Sequence, residues 1–190
     1  MIHQKNKNMQ NKSSILIFDT NIFLTGIDFN LIEGLIYTTP TIIEEIKVKK
    51  YLKKNQNILY RIQAALENQK LIIRPPEKKY VEEVIIKAKI TGDYSALSDA
   101  DKELIALALE LTETNECEVK LFSNDYSIEN VSSELKIPFF PLFKHGIKSK
   151  IFWEVYCPQC KTTHKVEDLH KTCEICDSIM KRRPKSNKLY

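Results

Sequence analysis

The run Ile15-Leu16-Ile17-Phe18 contains no polar side chain and stops abruptly on Asp19. Three of its four residues are β-branched or aromatic, and an unbroken apolar run of this length reads as a short strand buried on both faces. The rest of the sequence supplies what would cover it. Further extended stretches at 35–38, 71–74, 119–122 and 138–142 alternate with helical ones. The first helix opens at Thr39-Pro40, with Thr39 as N-cap and Pro40 in the first helical position. It is followed by the basic residues Lys47, Lys49, Lys50, Lys53 and Lys54. Later helices are expected at about 55–69, 77–90, 98–114 and 127–135. Strands alternating with helices indicate an α/β domain around a largely parallel sheet.

A carboxylate is costly to bury unpaired, so Asp19 at the end of a buried strand needs a reason. In open parallel sheets, ligands occupy the crevice beyond the carboxyl ends of the strands. Asp19 falls there on the first strand, and Asp125 falls just past the strand at 119–122. The helix SDADKELIALALEL adds a third acid. Leu97, Leu104, Ile105, Ala108 and Leu111 define its apolar face, and Asp101 points toward that side at helical spacing. Asp101 also completes a Ser98-x-x-Asp101 capping arrangement. Asp99, Lys102, Glu103, Ala106 and Glu110 are expected on the solvated side. A fourth acid comes from TPTIIEEI: Ile42, Ile43 and Ile46 set the buried direction, which leaves Glu45 nearer the crevice than Glu44. Either glutamate remains open as the ligand. Oxygen donors without His or Cys suit Mg²⁺ or Mn²⁺, ions that serve phosphoryl chemistry. Thr20, Asn21, Ser123 and Asn124 flank the acids and are expected to hydrogen-bond the carboxylates or a metal-bound water.

Several function classes are excluded by composition. The 190 residues include only four glycines, Gly26, Gly34, Gly92 and Gly146, none near another. No glycine-rich phosphate cradle and no GxSxG elbow exists, so a nucleotide cofactor is not expected. No apolar run approaches the length of a membrane span. Residues 1–13 are polar and lack the apolar segment of a signal peptide, so a disordered tail and a cytoplasmic location are expected. Thiols in that compartment stay reduced and are better read as metal ligands than as disulfides. Charge is divided unevenly. Residues 1–140 carry 18 Lys/Arg against 20 Asp/Glu, or −2, whereas residues 141–190 carry 11 against 5, or +6. A basic terminal module on a slightly acidic body points to a polyanionic partner.

That module contains two CxxC pairs, Cys157/Cys160 and Cys173/Cys176, spaced for a tetrahedral Zn²⁺ site with four thiolates. His164 and His170 are spare donors, and Cys117 is expected to be an ordinary packed thiol. Lys161 and Asp177 follow the second cysteine of each pair, where small zinc knuckles commonly have glycine. RNA contacts are expected from Lys161, Lys165, Lys171, Lys181, Arg182 and Arg183, with Trp153 or Tyr156 stacking on a base. For Trp153, packing within the module is the competing role.

With DTN at 19–21, EEI at 44–46, LSDADKELIALALEL at 97–111 and SNDYSIENV at 123–131, the chain resembles PIN-domain ribonucleases. The resemblance aligns Asp19, Glu45, Asp101 and Asp125 with that family's four metal-binding positions. It implies a Rossmann-like sheet of five parallel strands, flanked by helices, and Mg²⁺- or Mn²⁺-dependent cleavage of single-stranded RNA leaving a 5′-phosphate and a 3′-hydroxyl. A PIN domain followed by a zinc ribbon resembles the archaeal Nob family, which implies maturation of the 3′ end of small-subunit (16S) ribosomal RNA. Precursor rRNA or the small-subunit particle would be the partner. The expected organisation is a tail at 1–13, a PIN domain at 14–142, a linker at 143–152, a zinc ribbon at 153–183 and a basic tail at 184–190. Two alternatives remain: a toxin-type PIN ribonuclease acting on transfer or messenger RNA, and a non-catalytic RNA-binding assembly factor.

Overall fold

A computed structural model describes residues 14–48, 52–115, 117–141 and 150–185. The expectations for residues 1–13, Lys49, Lys50, Leu142, 143–149 and 186–190 lie outside the described residues.

The apolar runs form β1 (Ile15–Phe18), β2 (Leu35–Thr38), β3 (Leu71–Ile73), β4 (Val119–Phe122) and β5 (Phe139–Phe140). All five are parallel in the order β3-β2-β1-β4-β5. The chain thus leaves the central strand in one direction through β2 and β3, then crosses over to β4 on its other side. This reversal is a topological switch point, and it lies between the ends of β1 and β4. All four side chains of β1 are buried, as its composition requires.

Among the described residues, six helices surround the sheet: α1 (Thr20–Leu24), α2 (Pro40–Ile46), α3 (Leu52–Glu67), α4 (Lys78–Thr91), α5 (Asp99–Thr114) and α6 (Tyr126–Glu134). The short helix α1 is not visible in the periodicity, because its five residues span little more than one turn. Its cap is the Asp19 side chain. Phe18 carries the core outward from the sheet, meeting Phe23, Phe29 and Phe122 edge-on at centroid distances of 5.8, 6.4 and 5.5 Å. Such edge-to-face contacts match ring quadrupoles.

The helix α5 departs from the sequence reading. Lys102, Ala106 and Glu110, expected on a solvated side, are buried, because α5 packs against α2, α4, α6 and β4 at once. Burial of the two charges is compensated locally. Glu110 accepts from Arg74 and from the Glu77 backbone N–H, each at 2.8 Å, while Lys102 Nζ lies 3.0 Å from Asp99 and 4.6 Å from the Tyr94 ring centre.

Residues beyond 150 form a separate antiparallel sheet of β6 (Trp153–Tyr156), β7 (Thr163–His164) and β8 (Lys181–Pro184), in the order β7-β6-β8. Its core is small: Val155, Leu169, Met180, Cys157 and Cys173. Pairing continues past Arg183, since Lys185 N–H donates to the Phe152 carbonyl at 2.8 Å.

Candidate active site and cysteine cluster

Strand ends and helix starts bring the acids together. Asp19 leaves β1 and caps α1, with one carboxylate oxygen accepting from the Asn21 N–H at 2.6 Å. Its other oxygen accepts from the Ser123 hydroxyl at 2.6 Å. Ser123, fully buried at the end of β4, also accepts from the Asp125 N–H at 3.0 Å. One hydroxyl therefore ties the ends of β1 and β4 together and fixes Asp19 beside Asp125. Asp125 caps α6 through the Ser127 N–H at 2.7 Å.

Asp101 forms the capping box expected of it. It accepts from both Ser98 N and Ser98 Oγ at 2.8 Å, and its own N–H donates back to Ser98 Oγ at 3.1 Å. The cap does not remove Asp101 from the site; it orients the carboxylate there. Glu45 accepts from the Thr20 hydroxyl at 2.5 Å, and its charge acts on Asp101. Glu44 and Glu45 are both exposed; it is Glu45 that meets Thr20 and acts on Asp101. Asn21 contributes its backbone, with its side chain exposed, and Asn124 is half-buried between Ser123 and Asp125.

Electrostatics register the crowding. Burial drives the Asp19 carboxyl up to about 6, the Ser123 and Asn21 hydrogen bonds oppose this, and the Asp101 and Asp125 charges add to it. Asp101 is raised by burial, against its Ser98 bonds, with further contributions from Asp125 and Glu45. Two carboxyls raised by burial and by the acids beside them, at a switch point, form a site with unbalanced negative charge. Clusters of mutually perturbed groups in a cleft mark functional sites.

The cysteines close more tightly. Among the described residues, Cys157, Cys160, Cys173 and Cys176 are the one group of His, Cys, Asp or Glu whose ligand atoms all lie within 4.8 Å of one another, a set that can hold a metal ion. The two CxxC turns are built alike. Lys161 N–H donates to the Cys157 carbonyl at 3.0 Å, and Asp177 N–H to the Cys173 carbonyl at 2.9 Å. Lys161 and Asp177 both take left-handed backbone, with φ of 64° and 56°, so the turn forms without glycine at either position. His164 Nε2 stands 3.6 Å from the Cys173 sulfur, and Cys117 packs against the main core.

The residues expected to bind RNA divide into two groups. Lys161, Lys165, Lys171 and Lys181 are exposed, although Lys161 touches the Pro158 carbonyl and Lys171 pairs with Asp168. The two arginines turn toward protein. Arg183 bonds Glu154 at 2.7 Å and lies 4.3 Å from the Tyr156 ring centre. Arg182 lies 4.6 Å from the Trp153 ring centre and pairs at 3.0 Å with Asp93, a fully buried residue of the PIN-like body. Sequence reasoning did not single out Asp93, Ser127 or Asn130. The Asp125-Tyr126-Ser127 spacing of an Asx-turn was the one available sign for Ser127.

Residues 16–111 match a family described as the PIN domain of ribonuclease. The endoribonuclease Nob1 of Pyrococcus abyssi is 33% identical over 170 residues, covering 90% of this chain and 94% of that protein. This chain belongs to the Nob1 family of PIN-domain endoribonucleases. It is also 31% identical over 168 residues to the ribonuclease VapC1 of Thermoplasma acidophilum, covering 88% of this chain and 77% of that one. A shorter match, 37% over 92 residues, joins 48% of this chain to 17% of the 20S-pre-rRNA D-site endonuclease NOB1 of Saccharomyces cerevisiae. The expected family, the parallel five-stranded α/β body and the endoribonuclease activity are thereby borne out. No helix among the described residues is long and apolar enough to cross a membrane.

Proposed function

We propose that this endoribonuclease cuts single-stranded precursor RNA at the 3′ end of small-subunit rRNA, using a divalent cation held by Asp19, Glu45, Asp101 and Asp125. The observation that carries the reading is the Ser123 bridge, which links the Asp19 carboxylate to the Asp125 backbone N–H where β1 and β4 end. All four donors are carboxylate oxygens and they repel one another, which fits Mg²⁺ or Mn²⁺. Such an ion, if held by these four residues, would supply activation of water and neutralisation of charge on the attacking and leaving oxygens of a phosphodiester. The chain's own part is positional. Ser123 and the Asn21 N–H hold Asp19, the Ser98 box holds Asp101, and the Ser127 N–H holds Asp125. No side-chain nucleophile is required, and the resemblance to PIN ribonucleases implies products with a 5′-phosphate and a 3′-hydroxyl.

The cysteine cluster is assigned to structural Zn²⁺. Sulfurs at the corners of a tetrahedron with Zn–S bonds near 2.3 Å stand about 3.8 Å apart. Cys157–Cys176 and Cys160–Cys173 stand at 3.3 and 3.7 Å. The core around them is too small to support folding unaided. The exposed lysines of this ribbon supply phosphate contacts to RNA.

The test is incubation with Mn²⁺ and three RNAs: a precursor spanning the small-subunit 3′ end, a transfer RNA and an unrelated RNA. Discrete cleavage of the precursor is expected, abolished in Asp125→Asn while RNA binding persists. Cuts confined to transfer RNA would favour a VapC-like substrate, and Mn²⁺-dependent cutting that survives in Asp125→Asn would remove the acids from the mechanism.

A further inference from the structure

The ribbon meets the PIN body at the turn between α4 and α5 and at the start of α6, and the contact is polar and centred on a buried carboxylate. Asp93 lies one residue past Gly92, which ends α4 in left-handed backbone at φ 82°. A Cβ on Gly92 would collide with the Trp153 carbonyl oxygen, so ribbon and body approach backbone to backbone. Asp93 has no solvent exposure. Its carboxylate accepts from Arg182 of β8 at 3.0 Å and from the Asn130 amide of α6 at 2.6 Å, with the Ser127 hydroxyl as a further partner. Asn130 also bonds both the N–H and the carbonyl of Ile151, at 2.8 and 2.7 Å. Around this centre, Ser95 donates to the Val166 carbonyl at 2.7 Å and Lys89 pairs with Glu167 at 2.9 Å.

Two short paths run from Asp93 to the acidic site. The Asp93 carbonyl accepts from Ala96 and Leu97 at 2.8 and 3.1 Å, closing the turn that delivers Ser98 and hence the Asp101 box. Ser127, in contact with Asp93 through its hydroxyl, uses its backbone N–H to hold Asp125. Arg182 also lies within 3.5 Å of the Ser127 hydroxyl.

We propose that Arg182 is a positioning residue of the nuclease site: through Asp93 and Ser127 it fixes the starts of α5 and α6, making the ribbon a part of the acidic centre's support. Removing a charged partner from a buried carboxylate leaves that carboxylate uncompensated, and the cost falls on the groups it holds. The proposal rests on the acidic site being the cation site, and the experiment separates the two. Arg182→Ala, Arg182→Lys and Arg183→Ala are made in the full, zinc-loaded chain. Amide exchange is read without Mn²⁺ or Mg²⁺, and the Mn²⁺ midpoint is read both by paramagnetic resonance and by RNA cleavage.

In Arg182→Ala, exchange at the Ser127 and Asp101 amides quickens and the Mn²⁺ midpoint rises by about tenfold, with KM for RNA within about twofold. Lysine at position 182 restores part of both, and Arg183→Ala, whose partner is Glu154 inside the ribbon, moves neither. If Arg182→Ala unfolds the ribbon, Asp93→Asn makes the same test while keeping shape and the Asn130 contact. Wild-type exchange at Ser127 and Asp101, or a rise in KM alone, would overturn the proposal and leave Arg182 as an RNA contact. A wild-type chain that binds Mn²⁺ but cuts no RNA would instead defeat the substrate reading and leave the amide result standing.

Discussion

Burial and two neighbouring carboxylates hold the Asp19 acid at about 6 against an ordinary 3.8, so the residue is kept where the metal-free protein is less stable. The folded chain retains this proton up to about pH 6, whereas the unfolded chain gives it up near 3.8. Stability that is full below the lower value is therefore lost as pH rises through the higher one. Two units correspond to roughly 3 kcal/mol at most. Asparagine keeps both hydrogen bonds, since its oxygen can accept from the Asn21 N–H and its amide can donate to Ser123. Without Mg²⁺ or Mn²⁺, Asp19→Asn should be more stable than wild type at pH 7.5, by about 1–3 kcal/mol, and the advantage should vanish near pH 4. Denaturant midpoints at the two pH values measure it, and equal midpoints at pH 7.5 would contradict the assigned burial. Loss of cleavage accompanied by a gain in stability is the signature of a side chain placed for chemistry.

At the scale of elements, local chemistry explains most of what forms. Strand β1 is legible because its four residues are all apolar; α2 because Thr39-Pro40 opens it; α5 because Ser98 and Asp101 cap it reciprocally. What was not legible has physical causes. Helix α1 is too short for a period to show. The buried charges Lys102 and Glu110 read as solvated because periodicity describes one helix, whereas α5 is enclosed by neighbours on several sides. The CxxC turns supply a prediction of their own. Lys161 occupies left-handed backbone at φ 64°, which costs a side-chain-bearing residue about 1 kcal/mol or more. Lys161→Gly should raise the thermal stability of the zinc-loaded ribbon by about 1 kcal/mol, discounted by glycine's greater freedom when unfolded. A melting curve unchanged or lowered by the substitution would show that the turn carries no such strain.

The whole molecule joins a slightly acidic body to a basic ribbon, and only exposed, unneutralised cations contribute fully to counterion release on RNA. Lys181 is exposed at the start of β8, whereas Arg183 is already paired with Glu154 at 2.7 Å. Replacing Lys181 by alanine should reduce the slope of log affinity against log salt for single-stranded RNA by about 0.7. Arg183→Ala should change it much less. Equal effects would mean that the Glu154 pair opens when RNA binds.

The sequence by itself determined the strand order along the chain, the four acids, the two cysteine pairs and the charge division, because each depends on residue type at short spacing or on a family resemblance carried by such motifs. Tertiary structure alone decided that Ser123 bridges Asp19 to Asp125, that Thr20 meets Glu45, and that Arg182 turns inward to Asp93. Those contacts link residues 104, 25 and 89 positions apart. Their partners are chosen by how helices and sheets pack, which no local spacing encodes.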